Sequence, residues 1–189
     1  MNDMAMPAEQ QSDLMTAEEL ERVRIPHKST ELVRGRLIVR EPPSTYHGIV
    51  QAALTGAVVA FVRARKLGVV AGQDTGFKIA SNPDTVRAPD LAFITRQRTS
   101  QIGPRGYAAL APDLIAEIVS PDDRPGEVLS NVADWLDAGV RLVWVIDPAR
   151  RTAHVHRSDG SVTVIDAAGA FDGEDVLPGF VCALSDVFE

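Results

Sequence analysis

Two acidic residues stand where apolar strands are expected. Leu114-Ile-Ala-Glu-Ile-Val119 carries Glu117 in an otherwise apolar run, and Arg87-Ala-Pro-Asp-Leu-Ala-Phe-Ile94 sets Asp90 at the mouth of another. Burying a carboxylate costs on the order of several kcal/mol unless it is paired, protonated or bound to a metal. The first run alternates, so Ile115, Glu117 and Val119 share a face. If both faces of the sheet are covered, Glu117 must point into a polar pocket; the alternative is an edge strand with Glu117 facing water. Asp90 taken alone also suits a plain strand cap. Together the two acids can converge on one hard divalent cation. Mg²⁺ takes one or two carboxylates plus waters and substrate oxygens. Such an ion would activate water and shield charge on a phosphodiester.

The elements that must position these acids follow from periodicity and punctuation. Thr16-Ala-Glu-Glu19 is a capping box that opens a short helix, predicted to run to about residue 24 and to end before Pro26. Residues 31–40 read as two short strands turned at Gly35 and stopped by Pro42-Pro43. From about 45 to 66, Val50, Leu54, Val58 and Phe61 recur at helical spacing, and Gly68 closes the segment. Short strands are predicted at 69–71, 76–80 and 91–94, then a long loop over 95–113 and the strand of Glu117. A helix over 126–138 has Val128, Val132 and Trp135/Leu136 on one face, with Gly139 as its stop signal. A buried strand at 142–146, a hairpin around Asp159-Gly160, a turn at 177–180 and a short helix at 183–188 complete the chain. Strand, helix and strand between 114 and 146 predict a right-handed parallel crossover. The expected class is α/β, an α+β sandwich with a mixed central sheet flanked by helices. Residues 1–15 are expected to be a disordered leader, and 16–189 a single domain.

The 189 residues, 45% apolar and 24% charged, have a globular profile rather than a disordered one. The net charge of −7 argues against a wrap-around DNA binder. Its distribution qualifies this: residues 1–110 are net +3 and residues 111–189 net −10. A polyanion should therefore meet the first half, where Arg22, Arg24, Lys28, Arg34, Arg36 and Arg40 cluster, followed by Arg63, Arg65 and Lys66. No apolar run is expected to span a bilayer, no signal peptide is recognisable, and a lone Cys182 excludes a disulfide framework. A cytoplasmic protein without a membrane partner is the expectation.

In their order, several stretches resemble one known family. They are Glu31-Leu-Val-Arg-Gly-Arg-Leu, His47 opening the long helix, Arg87-Ala-Pro-Asp90, Pro112-Asp-Leu-Ile-Ala-Glu-Ile-Val-Ser-Pro121, and Trp135-Leu-Asp-Ala-Gly-Val-Arg-Leu-Val-Trp-Val-Ile-Asp-Pro148. The chain resembles the bacterial Uma-two family of restriction-endonuclease-like proteins, within the PD-(D/E)XK nuclease superfamily, over roughly residues 16–188. The resemblance implies a restriction-endonuclease-like core and a Mg²⁺- or Mn²⁺-dependent endonuclease acting on DNA, commonly as a homodimer. Asp90 and Glu117 would be metal ligands, joined by the Ile118 carbonyl. Glu31 would be an accessory acid, and His47 would contact a phosphate or a metal-bound water.

One expected residue is missing. The superfamily places a Lys two residues after the Glu, where this chain has Val119. The family shifts that Lys onto the following helix, and its slot here is Asn131. The three lysines, Lys28, Lys66 and Lys78, all precede both acids. Losing one such electrostatic donor can cost about 10²–10³ in rate, by analogy with an oxyanion hole. Lys78, mid-strand between Phe77 and Ile79, is the preferred substitute over Arg124. The alternative function is a catalytically inactive nucleic-acid-binding or protein-interaction domain that keeps the nuclease fold. His154 and His156 share a strand face but read as hairpin surface; Trp135 and Trp144 read as packing, and Asp122-Asp123 as a helix cap.

Overall fold

The computed structural model describes residues 14–189; residues 1–13, the bulk of the expected leader, lie outside the described residues. Met15, at the leader's end, donates its N–H to the Gly35 carbonyl at 2.8 Å. The capping box forms as expected: Thr16 accepts from the Glu19 amide while the Glu19 carboxylate accepts from the Thr16 amide. It opens only one turn, α1 (Ala17–Leu20), and the chain leaves the helix before Pro26 is reached.

Strands β1 (Ser29–Val33) and β2 (Arg36–Arg40) form the predicted hairpin. Gly35 turns it at a φ of +75°, a conformation glycine adopts without strain. The long helix α2 runs Thr45–Arg65, with the Ser44 hydroxyl accepting from the His47 amide at its start. By length and composition alone this helix could cross a bilayer, against the expectation that no run is long enough. Here its row of Val50, Leu54, Val58 and Val62 is buried in the core. Strands β3 (Gly68–Gly72), β4 (Phe77–Ala80), β5 (Thr85–Arg87) and β6 (Leu91–Thr95) follow. The three-residue β5 falls between the strands predicted at 76–80 and 91–94, where no element is predicted, and a 3₁₀ turn, Arg96–Gln101, occupies part of the predicted 95–113 loop.

Next come β7 (Leu114–Ile118), α3 (Pro125–Asp137) and β8 (Leu142–Asp147), and β7 and β8 pair in parallel as the crossover requires. Arg124, with no side-chain cap bond, precedes α3. Asp123 is therefore not its cap; its carboxylate accepts from the Ser120 amide in the preceding turn. Strands β9 (Thr152–Arg157) and β10 (Val162–Ile165) form the second hairpin. A short pair, β11 (Ala170–Asp172) with β12 (Val181–Ala183), and a 3₁₀ turn, Leu184–Val187, end the chain.

The result is a mixed α/β sandwich. A six-stranded sheet, ordered β10-β9-β8-β7-β6-β3, is antiparallel except at β7/β8. A four-stranded antiparallel sheet, β2-β1-β5-β4, stands beside it. Alternation along β7 divides the large sheet. Leu114, Ala116 and Ile118 join α2 and the C-terminal Phe171, Phe180 and Leu184 in one core layer. Ile115 joins Val132 and Trp135 of α3 in the other. Both faces are thus covered, and β7 lies two strands in from the nearer edge, which removes the edge-strand reading of Glu117.

Candidate active site

Register brings the two acids together. In the antiparallel β6/β7 pair Leu91 faces Ala116 and Phe93 faces Leu114. Continuing that register by one residue sets Asp90 opposite Glu117. Asp90 is buried, and its Oδ2 accepts from the Ile118 amide at 2.7 Å. The same oxygen lies 3.3 Å from Nε2 of His47. Gln51, one turn further along α2, donates from Nε2 to the Asp90 carbonyl at 2.9 Å. The first turns of α2 therefore hold Asp90 by both its side chain and its backbone.

Glu117 points to the α3 side of β7, where Oε1 accepts from the Trp135 indole N–H at 2.8 Å. Trp135 was expected only to pack; it does that, fully buried, and also aims the carboxylate. Asn131, one turn before it on α3, shares that face and reaches the same cleft. Burial first, then the charges of Asp90 and Glu31, push the Glu117 carboxyl well above the usual carboxylate range, against the pull of Trp135 and Arg87. Burial would lower His47, but its hydrogen bond to Asp90, the Asp90 charge and the Ile118 backbone outweigh that and raise it.

Glu31 is the third acid of the group; it is buried, and its oxygens are already engaged. Oε2 accepts from Arg87 Nη1 and from Arg40 Nε, both at 3.1 Å, and Oε1 accepts from the Ala88 amide at 3.0 Å. Arg87 is almost wholly buried and reaches on to Asp134 of α3 at 2.5 Å. This Asp134–Arg87–Glu31–Arg40 chain ties the small sheet to α3 around the site. From the sequence Arg40 stood only in a basic cluster expected to meet a polyanion, and Arg87, Gln51 and Asp134 had no role of their own. A buried Glu31 demands a cation, and Arg87 stands in the same Arg-Ala-Pro-Asp stretch as Asp90.

These residues open into a cleft of about 510 Å³. Its lining carries eight acids: Glu31, Glu41, Asp74, Asp90, Glu117, Asp122, Asp123 and Glu127. Against them stand only Arg40 and His47. Burial lowers Arg40, but Glu31, Asp123 and Glu117 together raise it, so its charge is secure. Asn131 and Ile118 line this cleft and Lys78 does not. Lys78 instead lies 2.8 Å from Asp84 Oδ2 at the far strand of the small sheet. Its mid-strand position, taken as a sign of catalysis, is accounted for by that ion pair. Among the described residues no three His, Cys, Asp or Glu side chains form a ready-made metal cage. Two carboxylates and a carbonyl are nonetheless the sparse, hard donor set that Mg²⁺ and Mn²⁺ accept, and their crowded negative charge calls for a cation. The residues present fit such an ion.

A protein-family model described as "Putative restriction endonuclease", Uma2, matches residues 17–185. A solved structure, that of a "putative nuclease belonging to DUF820" from Anabaena variabilis ATCC 29413, is similar in fold with a TM-score of 0.78. It is 21% identical, and the alignment covers 92% of this chain and 97% of that one. No curated protein matches the chain.

Proposed function

The chain belongs to the Uma2 family, and from that premise we propose that it is a divalent-metal-dependent endonuclease hydrolysing phosphodiester bonds in DNA. The observation that carries the reading is the convergence of Asp90 and Glu117 at the floor of a cleft lined by eight acids. A phosphodiester entering that cleft would be repelled at every approach unless a multivalent cation reversed the local field. Asp90, Glu117 and the Ile118 carbonyl would hold Mg²⁺ or Mn²⁺. When bound, such an ion polarises a phosphoryl oxygen and lowers the pKa of a coordinated water.

The chain's own residues do the rest. The Ile118 amide and His47 fix one Asp90 oxygen, so the other is left to face the cleft. Trp135 fixes Glu117 in the same way through one oxygen. Arg40 holds a permanent positive charge at the wall and can meet a non-bridging phosphate oxygen. Glu31 acts through Arg87 and Arg40, which it positions, because its own oxygens are engaged. Asn131 can donate a hydrogen bond to a phosphate oxygen or to the attacking water, but it brings no charge. A homodimer would present two such clefts to the two strands of a duplex.

The test is cleavage of supercoiled plasmid with Mg²⁺ or Mn²⁺. Wild type should nick it, and Asp90→Ala and Glu117→Ala should each abolish nicking. Activity retained in both variants would overturn this assignment. Asn131 in the Lys slot, with Lys78 held elsewhere by Asp84, favours a second reading: a non-catalytic nucleic-acid-binding domain. Salt-dependent DNA binding with no metal-dependent cleavage would support it instead.

A further inference from the structure

A second cleft, of about 460 Å³, adjoins the acidic one and shares Ser29, Asp74 and Ala88 with it. Its character is opposite. Arg24 and Lys28 line it with a single acid, Asp74, and Tyr107 closes one side. Arg22 and His27 are exposed on the same segment, 21–28. Arg105 is also near, because its loop abuts α1: a Cβ on Gly106 would lie 2.8 Å from a Glu21 carboxylate oxygen. Part of the positive charge of the first half, that of Arg22, Arg24, Lys28 and Arg105, thus lies beside the acidic cleft.

The cations are built to be used. Arg24 is held by its Nη1, which donates at 2.7 Å to the carbonyls of Glu21 and Val23. No acidic side chain among the described residues forms an ion pair with it. Lys28 pairs with Glu41, which is 78% exposed and lines the acidic cleft. A solvent-facing pair of this kind is weak, so a phosphate can take the place of Glu41. Lys28 therefore stands at the border between the two clefts. The Tyr107 ring lies against Gly76, where a Cβ would come within 2.5 Å of it. A ring so fixed offers the kind of surface on which unpaired bases stack. The volume is in the range that holds one small molecule, which suits a nucleotide unit of a single strand rather than a duplex.

We infer that this second cleft is the track for the polynucleotide strand flanking the reacting phosphodiester, with Arg24 and Lys28 on backbone phosphates and Tyr107 under an unpaired base. The inference rests on the nuclease reading above, and its test is separable from that reading. A fluorescein-labelled single-stranded oligonucleotide is titrated in EDTA at several salt concentrations, where no cleavage is needed. For the Arg24→Gln/Lys28→Gln double variant, the slope of log K against log salt should fall by about 1.4, from two contacts at roughly 0.7 each. Arg63→Gln/Arg65→Gln removes the same charge from the far end of α2 and should leave the slope unchanged. Tyr107→Leu, which keeps apolar bulk against the cluster of Ala17, Leu20, Leu32 and Val86, should weaken binding, and Tyr107→Phe should not. No binding by wild type, an unchanged slope in the Arg24/Lys28 variant, or an equal fall in the Arg63/Arg65 control would each overturn the track. Mn²⁺-dependent hydrolysis of bis(p-nitrophenyl) phosphate by the wild type, which needs no flanking strand, reads the nuclease site apart from the track. If wild type fails to hydrolyse it, the nuclease reading fails, while the binding titration still decides the track.

Discussion

Replacing Glu117 by Gln removes one charge from a crowded site and keeps the oxygen that accepts from Trp135 at 2.8 Å. Burial and the neighbouring Asp90 and Glu31 hold the Glu117 carboxyl well above its usual range. An acid whose folded pKa is raised is penalised when ionised. The penalty is absent below the unfolded value of about 4.3 and grows as pH rises through the raised folded value. The metal-free Glu117→Gln protein should therefore be more stable than wild type at pH 8. That advantage should vanish near pH 4. Metal reverses the order. A ligand at one hundred times its Kd stabilises by about 2.7 kcal/mol. For a chain of this size each kcal/mol is worth roughly 2–4 °C, so saturating Mn²⁺ should raise the wild-type Tm by about 5–11 °C. Glu117→Gln should lose most of that rise. Thermal unfolding at pH 8, with and without Mn²⁺, reads both effects. An equal metal-induced rise in the two proteins, or a metal-free Glu117→Gln protein less stable than wild type, would refute the reasoning.

Asn131→Lys puts a charged donor on the α3 face that lines the cleft, and cleavage should rise on the order of 10²–10³; an unchanged rate would mean that the slot is misassigned. Arg87→Met leaves the buried Glu31 and the partly buried Asp134 without their shared cation, and urea unfolding should show a loss of about 3–5 kcal/mol. A loss below about 1 kcal/mol would mean that Arg87 behaves as a surface pair. Burial would raise Asp84, but Lys78 and the Ala17 amide outweigh it and hold the carboxyl below its usual range. The stability this supplies is present above the unfolded value of about 3.9 and is lost as pH falls through the folded value. Asp84→Asn should therefore lower the urea midpoint at pH 7, and the gap to wild type should close below pH 4; a gap constant with pH would contradict this.

Glu117 was legible because a charge in an apolar strand is a local anomaly, and the strand–helix–strand run around it dictates a covered sheet. The capping box at Thr16, the hairpin glycines and the α2 periodicity were legible for the same reason: each is written within a few adjacent residues. Strand β5 and the β11/β12 pair were not, because three residues are too few to show alternation. Arg87 was missed because its partner Glu31 lies 56 residues away, and only the fold brings them within 3.1 Å. Lys78 shows the opposite failure. Its placement in a strand rightly demanded a partner, but the partner is Asp84 rather than a substrate. Net charge behaved likewise: −7 for the chain hides an acidic cleft and a basic one side by side.

The central claim is that Asp90, Glu117 and the Ile118 carbonyl hold the ion on which phosphodiester hydrolysis depends. Anomalous diffraction from Mn²⁺-soaked crystals, recorded at the manganese edge, tests it most directly. A peak is expected within coordination distance of both carboxylates and that carbonyl, absent from Glu117→Gln crystals. Manganese bound elsewhere in the cleft, or a peak at this position that survives Glu117→Gln, would contradict it.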